Sequence, residues 1–401
     1  MFSLPKIVWL LGLISLINDT SSELIYPLIP LYLSSVLLVG PQTLGIIEGV
    51  VEAFGSLLKL FSGVISDKIQ NTKWLVVSGY SLSCIIKPLL AFAFIWPLVL
   101  LIRFTDKIGK ALRTAPRDAL LASSVDAKIR GKAFGLHRAM DNAGAVIGPL
   151  LAAGLLYLGL SFQKIFLWTV LPGILCILLT LIIQEPKKVS KISEIKLSEK
   201  EKPGKEKFGK EKTRFHWQFK TLPKMFKRYL VVVGLFSLGN SSNMFILLRA
   251  KELGISTDMV PVLWALCSFT AMLFSTPLSA LSDKLGRKTL IIMGWCIYGL
   301  FYLSLALYKI NIQWLWPLFA FYGLFMAASE GTEKAYVADL SGTSSLGTTY
   351  GWFSMVSGIM LLPASILFGY FWQWLHPEFA FLFSALLALL AMLLLKFWVK
   401  S

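Results

Sequence analysis

The 401-residue sequence predicts an all-α polytopic membrane protein: twelve transmembrane helices in two pseudo-symmetric six-helix bundles. Three observations carry that prediction. The composition is more apolar than a water-soluble core can hide, apolar runs of spanning length recur twelve times, and the first six runs are related to the last six.

Hydrophobic residues make up 56% of the chain, aromatic residues 13%, and charged residues only 15%, where a soluble protein carries about a quarter. With 28 Phe and 13 Trp, the surplus of apolar surface calls for a bilayer as solvent. A net charge of +17 first points to nucleic acid, but its location argues otherwise. Residues 184–228 hold 15 Lys and Arg against 6 Asp and Glu, a net +9, and most of the remaining excess sits in short connections. Cys84, Cys176, Cys267 and Cys296 each stand alone in an apolar run, and the three histidines are scattered. No metal centre or cofactor is therefore expected. No nucleophile–base pairing is seen, which argues against an enzyme. No cleavable signal is expected either, because Met1 to Lys6 is short and the next run, with Asp19 and Glu23, reads as a span.

A crossing needs about 20 apolar residues. Runs near 7–33, 42–66, 74–95, 97–123, 131–158 and 164–183 meet that need, as do 229–250, 259–281, 288–308, 314–338, 347–371 and 377–398. Pro27, Pro30, Pro149 and Pro363 fall inside these runs, so tilted or kinked helices are expected. The units are then 1–183 (N-terminal bundle), 184–228 (basic cytoplasmic linker) and 229–401 (C-terminal bundle). Lys68, Lys73, Lys128, Arg130, Lys132, Lys284, Arg287 and Lys288 lie on the side of the chain ends; the other side has chiefly Lys164, Lys251 and Lys309. The positive-inside rule then puts both termini in the cytoplasm. The stretch Lys187–Lys212 has the composition of a solvated tether. Docking on anionic lipid headgroups is the functional alternative.

A shift of 222 lays Gly12, Leu13, Ser15, Leu16 and Asn18 on identical residues from Gly234 onward. A shift of 216 lays Asp67 on Asp283, Ala119 on Ala335, Gly131 on Gly347, Phe134 on Tyr350 and Gly135 on Gly351. Two repeats of six spans with a long middle segment describe a carrier plan, with a midplane site between halves that rock against each other.

The connection after the second run reads Gly63-Val-Ile-Ser-Asp67-Lys68, and its second copy Leu281-Ser282-Asp283-Lys284-Leu285-Gly286-Arg287-Lys288. The fifth run spaces Gly135, Gly144, Gly148 and Pro149, followed by Ala152-Ala153. In these motifs the chain resembles the major facilitator superfamily over its whole length. Both connections are similar to the family's signature loop, although Ile69-Gln70-Asn71 departs from its Gly-Arg-Arg/Lys ending. The fifth run is similar to the antiporter-type motif, with alanines where the family has two glycines; plain helix packing is the alternative use of such small residues. The segments RFTDKIGKALRTAPRDAL and LGNSSNMFILLRA resemble a bacterial branch of exporters and siderophore carriers. The resemblance implies alternating access with no chemistry on the cargo. It also makes Asp67, Asp283 and Arg287 gating residues at cytoplasmic helix ends. Arg117-Asp118 and Glu333-Lys334 coincide under the 216 shift with signs exchanged, as latch pairs would.

An ionised side chain at bilayer depth costs several kcal/mol, so it must face a partner or a watery cavity. Arg103, Asp106, Lys110, Arg113 and Arg117 follow steps of 3, 4, 3 and 4, one face of the fourth span. Candidate partners are Asp19, Ser22, Glu23 and Tyr26 on one face of the first span, Glu48 and Glu52 on the second, and Lys87 on the third. His137, Arg138 and Asp141 follow on the fifth, where His137 and Asp141 are read as gating groups. Glu48, Glu52, Lys107 and Arg138 read as ion pairs that fix helix register, for instance Glu52 with Arg103. Lys87, Lys110 and Arg113 form an anion-binding surface or belong to that same register-fixing set. Asp19 faces Ser241 in the repeat, so symmetry does not require its charge; proton carrier and cargo contact are both open. Asp106 and Glu330 are the other proton-coupling candidates. Asn240, Asn243 and Glu330 are the polar contributions expected from the second half, and with Ser22, Tyr26 and Arg103 they complete the expected cargo-binding set.

With the bacterial branch it resembles, the leading expectation is a monomeric, multi-pass secondary transporter that moves a small hydrophilic organic anion across a bacterial cytoplasmic (inner) membrane, by proton-coupled efflux through antiport. Its partners are that anion, protons and the lipid bilayer, with no nucleic acid. An importer of a polycarboxylate siderophore or metal chelate is the alternative within transport, and a non-transporting sensor or scaffold the alternative outside it. An exporter of lipophilic cations would need a cavity rich in aromatic rings with an acidic excess.

Overall fold

The computed structural model describes residues 4–68, 72–125, 130–183, 219, 222–307, 311–341 and 346–399. Among the described residues there are helices and no strands. Twelve spans appear where the apolar runs place them. The N-terminal six are Lys6–Ile25 continued by Leu28–Ser35, Pro41–Lys68, Thr72–Ile86 with a 3-10 turn Lys87–Phe92, Trp96–Ser123, Arg130–Tyr157, and Phe162–Trp168 with Val170–Leu181. The C-terminal six are Lys224–Gly239 with Met244–Glu252, Val260–Leu285, Arg287–Ala306, Ile312–Leu340, Leu346–Trp374 and Pro377–Trp398. The seventh span thus begins at Lys224, inside the stretch expected as linker. The rest of the basic segment, through residue 218, lies outside the described residues.

Among the described residues, ten spans are long and apolar enough to cross a membrane by length and composition alone. The other two are Pro41–Lys68, with Glu48 and Glu52, and Trp96–Ser123, with the five-residue charged stripe. These two helices pack on each other, so their charges meet inside the bundle instead of facing lipid. Pro27 separates the two helices of the first span, whereas Pro149 and Pro363 sit inside unbroken ones. In the seventh span, Asn240 to Asn243 are not helical. Irregular backbone at membrane depth survives where it lines a cavity or is buried in protein.

The start of the first span and the end of the twelfth, with the neighbouring ends of the second and third and of the eighth and ninth spans, share one face of the molecule, the terminal face; the opposite side is the distal face. Lys and Arg on the terminal face cap helix ends. Lys73 Nζ donates to Leu181 O at 3.0 Å, and Lys288 Nζ donates to Val399 O at 2.6 Å. Carbonyls at a helix C-terminus carry partial negative charge and attract such cations.

The halves meet most extensively where the second span packs along the eleventh. That approach relies on missing side chains: a Cβ on Gly45 would stand 2.2 Å from the Ser365 carbonyl oxygen. Toward the terminal face the fifth, eighth and tenth spans part around a vestibule of about 450 Å³.

Candidate functional site

At the midplane the two halves enclose a cavity of about 270 Å³. The N-terminal half contributes Tyr26, Glu48 and Glu52; the C-terminal half contributes Asn240 to Asn243, Tyr322, Phe325, Met326 and Leu361. The helix break of the seventh span supplies four of these residues, which ties local backbone to site. Tyr322 Oη donates to Asn243 Oδ1 at 2.6 Å, fixing that amide.

Behind the carboxylates stand their cations. Arg103 Nη2 donates to Glu48 Oε1 at 2.8 Å, and Lys107 Nζ to Glu52 Oε1 at 2.5 Å. The expected pair of Glu52 with Arg103 is therefore corrected. The second and fourth spans run parallel, so a step of four on one matches a step of four on the other. The diagonal pairing would leave both Glu48 and Lys107 unmatched. Glu48 also binds across the interface, its Oε2 accepting from Ser242 Oγ at 3.0 Å. Arg103 Nε has no hydrogen-bond partner among the described residues, so the guanidinium fork is only partly used.

Deeper in the N-terminal half, Lys87 is 3% exposed and donates to Asn18 O at 3.3 Å and Asn18 Oδ1 at 3.1 Å. Asn18 Nδ2 in turn donates to Asp19 Oδ1 at 3.0 Å. Asp106 accepts a hydrogen bond from Ser83 Oγ. Ser22, Lys87, Arg103 and Asp106, with Ile25, Leu90 and Ile102, line a small void of about 10 Å³, room for about one water. Arg113, 3% exposed, lies 4.4 Å from the Tyr80 ring centroid, and its Nε and Nη1 have no partner among the described residues. Lys87 and Arg113 are thus buried within the half and do not line the midplane cavity, whereas Lys110 is exposed.

The expected gating groups are dispersed along the terminal side. Arg117 pairs with its neighbour Asp118 at 2.9 Å, and His137 Nδ1 lies 3.4 Å from Asp141 Oδ2. Arg287 donates to Asp339 Oδ1 at 2.7 Å, and Glu333 accepts from Trp295 Nε1 at 3.0 Å. Lys334 and Arg138 line the terminal vestibule together with Gly135. Gly144 and Gly148 instead press on the first span. Asp67, Asp283 and Glu330 belong to described helices, but their side chains lie outside the described residues.

Sequence reasoning missed two partners from the second half, Ser242 on Glu48 and Trp264 on Glu23. Trp264 Nε1 donates to Glu23 Oε2 at 2.9 Å. Nothing local marks Trp264, one ring in an apolar run. The run of polar residues Asn240-Ser241-Ser242-Asn243 is the signal that could have pointed to a helix break at the site.

Twelve spans in two six-helix halves, with a polar cavity between them, are the architecture of a membrane transporter. The chain belongs to the Major Facilitator Superfamily, whose family model matches residues 11–248 and 229–401. It is 37% identical over 401 residues to MJ1317, an uncharacterized MFS-type transporter of Methanocaldococcus jannaschii, covering 98% of this chain and 95% of that one. It is 24% identical over 309 residues to the multidrug resistance protein MdtG of a Rahnella species, covering 74% and 70%. Among solved structures, a POT family transporter in complex with a thioalcohol-conjugated peptide superposes with a TM-score of 0.78 at 13% identity. That match covers 100% of this chain and 98% of that one. At this identity it shows the fold alone.

Proposed function

We propose that this transporter is a proton-coupled carrier of a small hydrophilic organic anion, moved across a bacterial cytoplasmic membrane with the terminal face inward. The observation that carries the reading is Arg103, directly behind the cavity wall, bound to Glu48 through one nitrogen while its Nε stays unpartnered. A carboxylate or phosphate entering the cavity offers that guanidinium a better, two-toothed partner. Drawing Arg103 away leaves Glu48, 1% exposed, without its counter-charge. A lone buried carboxylate is costly, so proton uptake by Glu48 accompanies anion binding. Proton and anion then bind together, which is the linkage of a symporter. Exposed Lys110, with Arg138 and Lys334 at the vestibule, supports an approach for anions from the terminal face.

The test is flux in proteoliposomes under an imposed pH gradient, with a panel of labelled mono- and polycarboxylates. Gradient-driven accumulation of at least one anion is expected. Glu48→Gln should keep cargo exchange at equal pH and lose the driven component. Absence of driven flux for every anion would end the coupling claim.

A second reading has a specific observation behind it. Glu48 and Glu52 with Tyr26, Tyr322 and Phe325 give the cavity the carboxylates and rings that suit a cation. A cationic cargo would compete with the proton for Glu48, giving efflux by antiport, and the likeness to a multidrug resistance protein favours it. Protons taken up on cargo addition in weak buffer support the anion; protons released support the cation.

A further inference from the structure

Two carboxylates of the N-terminal half reach across to the other half. Glu48 is backed by Arg103 at 2.8 Å. Glu23 has no ion-pair partner among the described residues, and its Oε2 accepts from the indole of Trp264 on the eighth span. Trp264 is 5% exposed and its ring lies 5.2 Å from that of Tyr26, so the indole is wedged against the first span. The charges around Glu23 are Asp19 on its own helix and Lys110 and Arg103 on the fourth span; from the eighth span it meets Trp264.

An indole N–H is a donor only. Facing an ionised carboxylate it makes a charge-assisted bond, and facing a neutral carboxylic acid a much weaker one. The bond joins the two halves, so it exists only while their distal parts are together. Its strength therefore biases the equilibrium between distal-closed and distal-open forms.

We propose that Glu23 is a second proton-accepting carboxylate of this carrier and that Trp264 reads its charge: ionised Glu23 holds the distal side shut, and protonated Glu23 lets it open. The sign is fixed by the chemistry. Rising pH favours the form described here, and falling pH favours the distal-open one. The difference between a charged and a neutral hydrogen bond corresponds to about a tenfold change in the open-to-closed ratio. The inference deepens the proposed function and rests on it only in taking the proton as the coupling ion.

The experiment needs no cargo. Spin labels are placed at Leu158 and Leu307, exposed residues at the distal ends of the fifth and ninth spans, 73% and 62% exposed. Cys296, the native cysteine that is not buried, is replaced by serine. Distances are measured by electron–electron resonance on the full chain in lipid nanodiscs across a pH series. The parent should shift toward longer distances as pH falls. Glu23→Gln should sit near the long-distance distribution at every pH. Trp264→Phe, which keeps the ring against Tyr26, should also lose the pH response. A parent without pH response, or a Glu23→Gln variant that responds like the parent, would overturn the inference. If the distances respond as expected while driven anion flux fails, the cargo reading falls and the Glu23 tie stands; the reverse result removes the tie alone.

Discussion

Asn18 in the first span and Asn240 in the seventh occupy matching places in the repeat, and their surroundings diverge. Asn18 is buried in helix between Lys87 and Asp19, with hydrogen bonds of 3.1 and 3.0 Å. Asn240 begins a helix break beside a stack of rings. Around it Phe236 lies on Trp295 at 4.3 Å between centroids, and Tyr298 on Tyr302 at 4.2 Å. In the C-terminal half, Arg249 pairs with Glu378 at 3.1 Å and Arg287 with Asp339 at 2.7 Å, both at its rims. Among the described residues, the interior of the first half holds paired charges, and that of the second is mostly packed rings. The contrast suits the proposed function, in which the first half responds to protons and works against a body of packed rings.

The sharpest way to break that contrast is to remove one member of a pair in each half. Arg103→Met leaves Glu48 buried without its cation and should cost about 3–5 kcal/mol, read as a large drop in the thermal unfolding midpoint in detergent. Adding Glu48→Gln should restore most of it. Arg249→Met should cost less, because Glu378 keeps 29% of its side-chain surface exposed to solvent. Equal losses at the two sites would dissolve the asymmetry.

The spans and their grouping were legible because they rest on run length and on a repeat, both written along the chain. The charged stripe of the fourth span was legible because its period is helical. Partner choice was not. Whether Arg103 meets Glu48 or Glu52 depends on a one-turn axial register between helices that only packing sets. Contacts across the halves were invisible for a stronger reason: Glu23 with Trp264 and Glu48 with Ser242 join residues separated by 241 and 194 positions, and no pattern in either segment refers to the other. Burial was also hidden. Arg113 and Lys87 share the stripe's chemistry with Lys110, yet sit inside the half while Lys110 is exposed.

A smaller effect sharpens the comparison through backbone spacing. A Cβ on Gly148 would stand 2.6 Å from Thr20 O and 2.7 Å from Leu24 N, both backbone atoms of the first span. The matching position in the C-terminal half, under the shift of 216, is Ala364. Gly148→Ala should therefore force the first and fifth spans apart at a cost of about 1–3 kcal/mol, with a lower unfolding midpoint. Gly135→Ala, where nothing lies within 4 Å, should leave the midpoint unchanged. The glycines of this motif would then divide into packing residues and one vestibule residue.

The smallest effect is expected where the aromatic half is touched without disturbing its stack. Tyr298 Oη donates to Gly239 O at 2.9 Å, at the last helical residue before the break of the seventh span. Tyr298→Phe keeps the ring on Phe236 and Tyr302 and deletes one buried hydrogen bond, a loss of about 1 kcal/mol. The unfolding midpoint should fall slightly, while cargo exchange and the pH response of the distal distance stay as in the parent. If the substitution instead abolishes the pH response, the break at Asn240 is part of the proton-sensing machinery. The C-terminal half could then no longer be treated as a passive body, because the signal from Glu23 would have to pass through its rings.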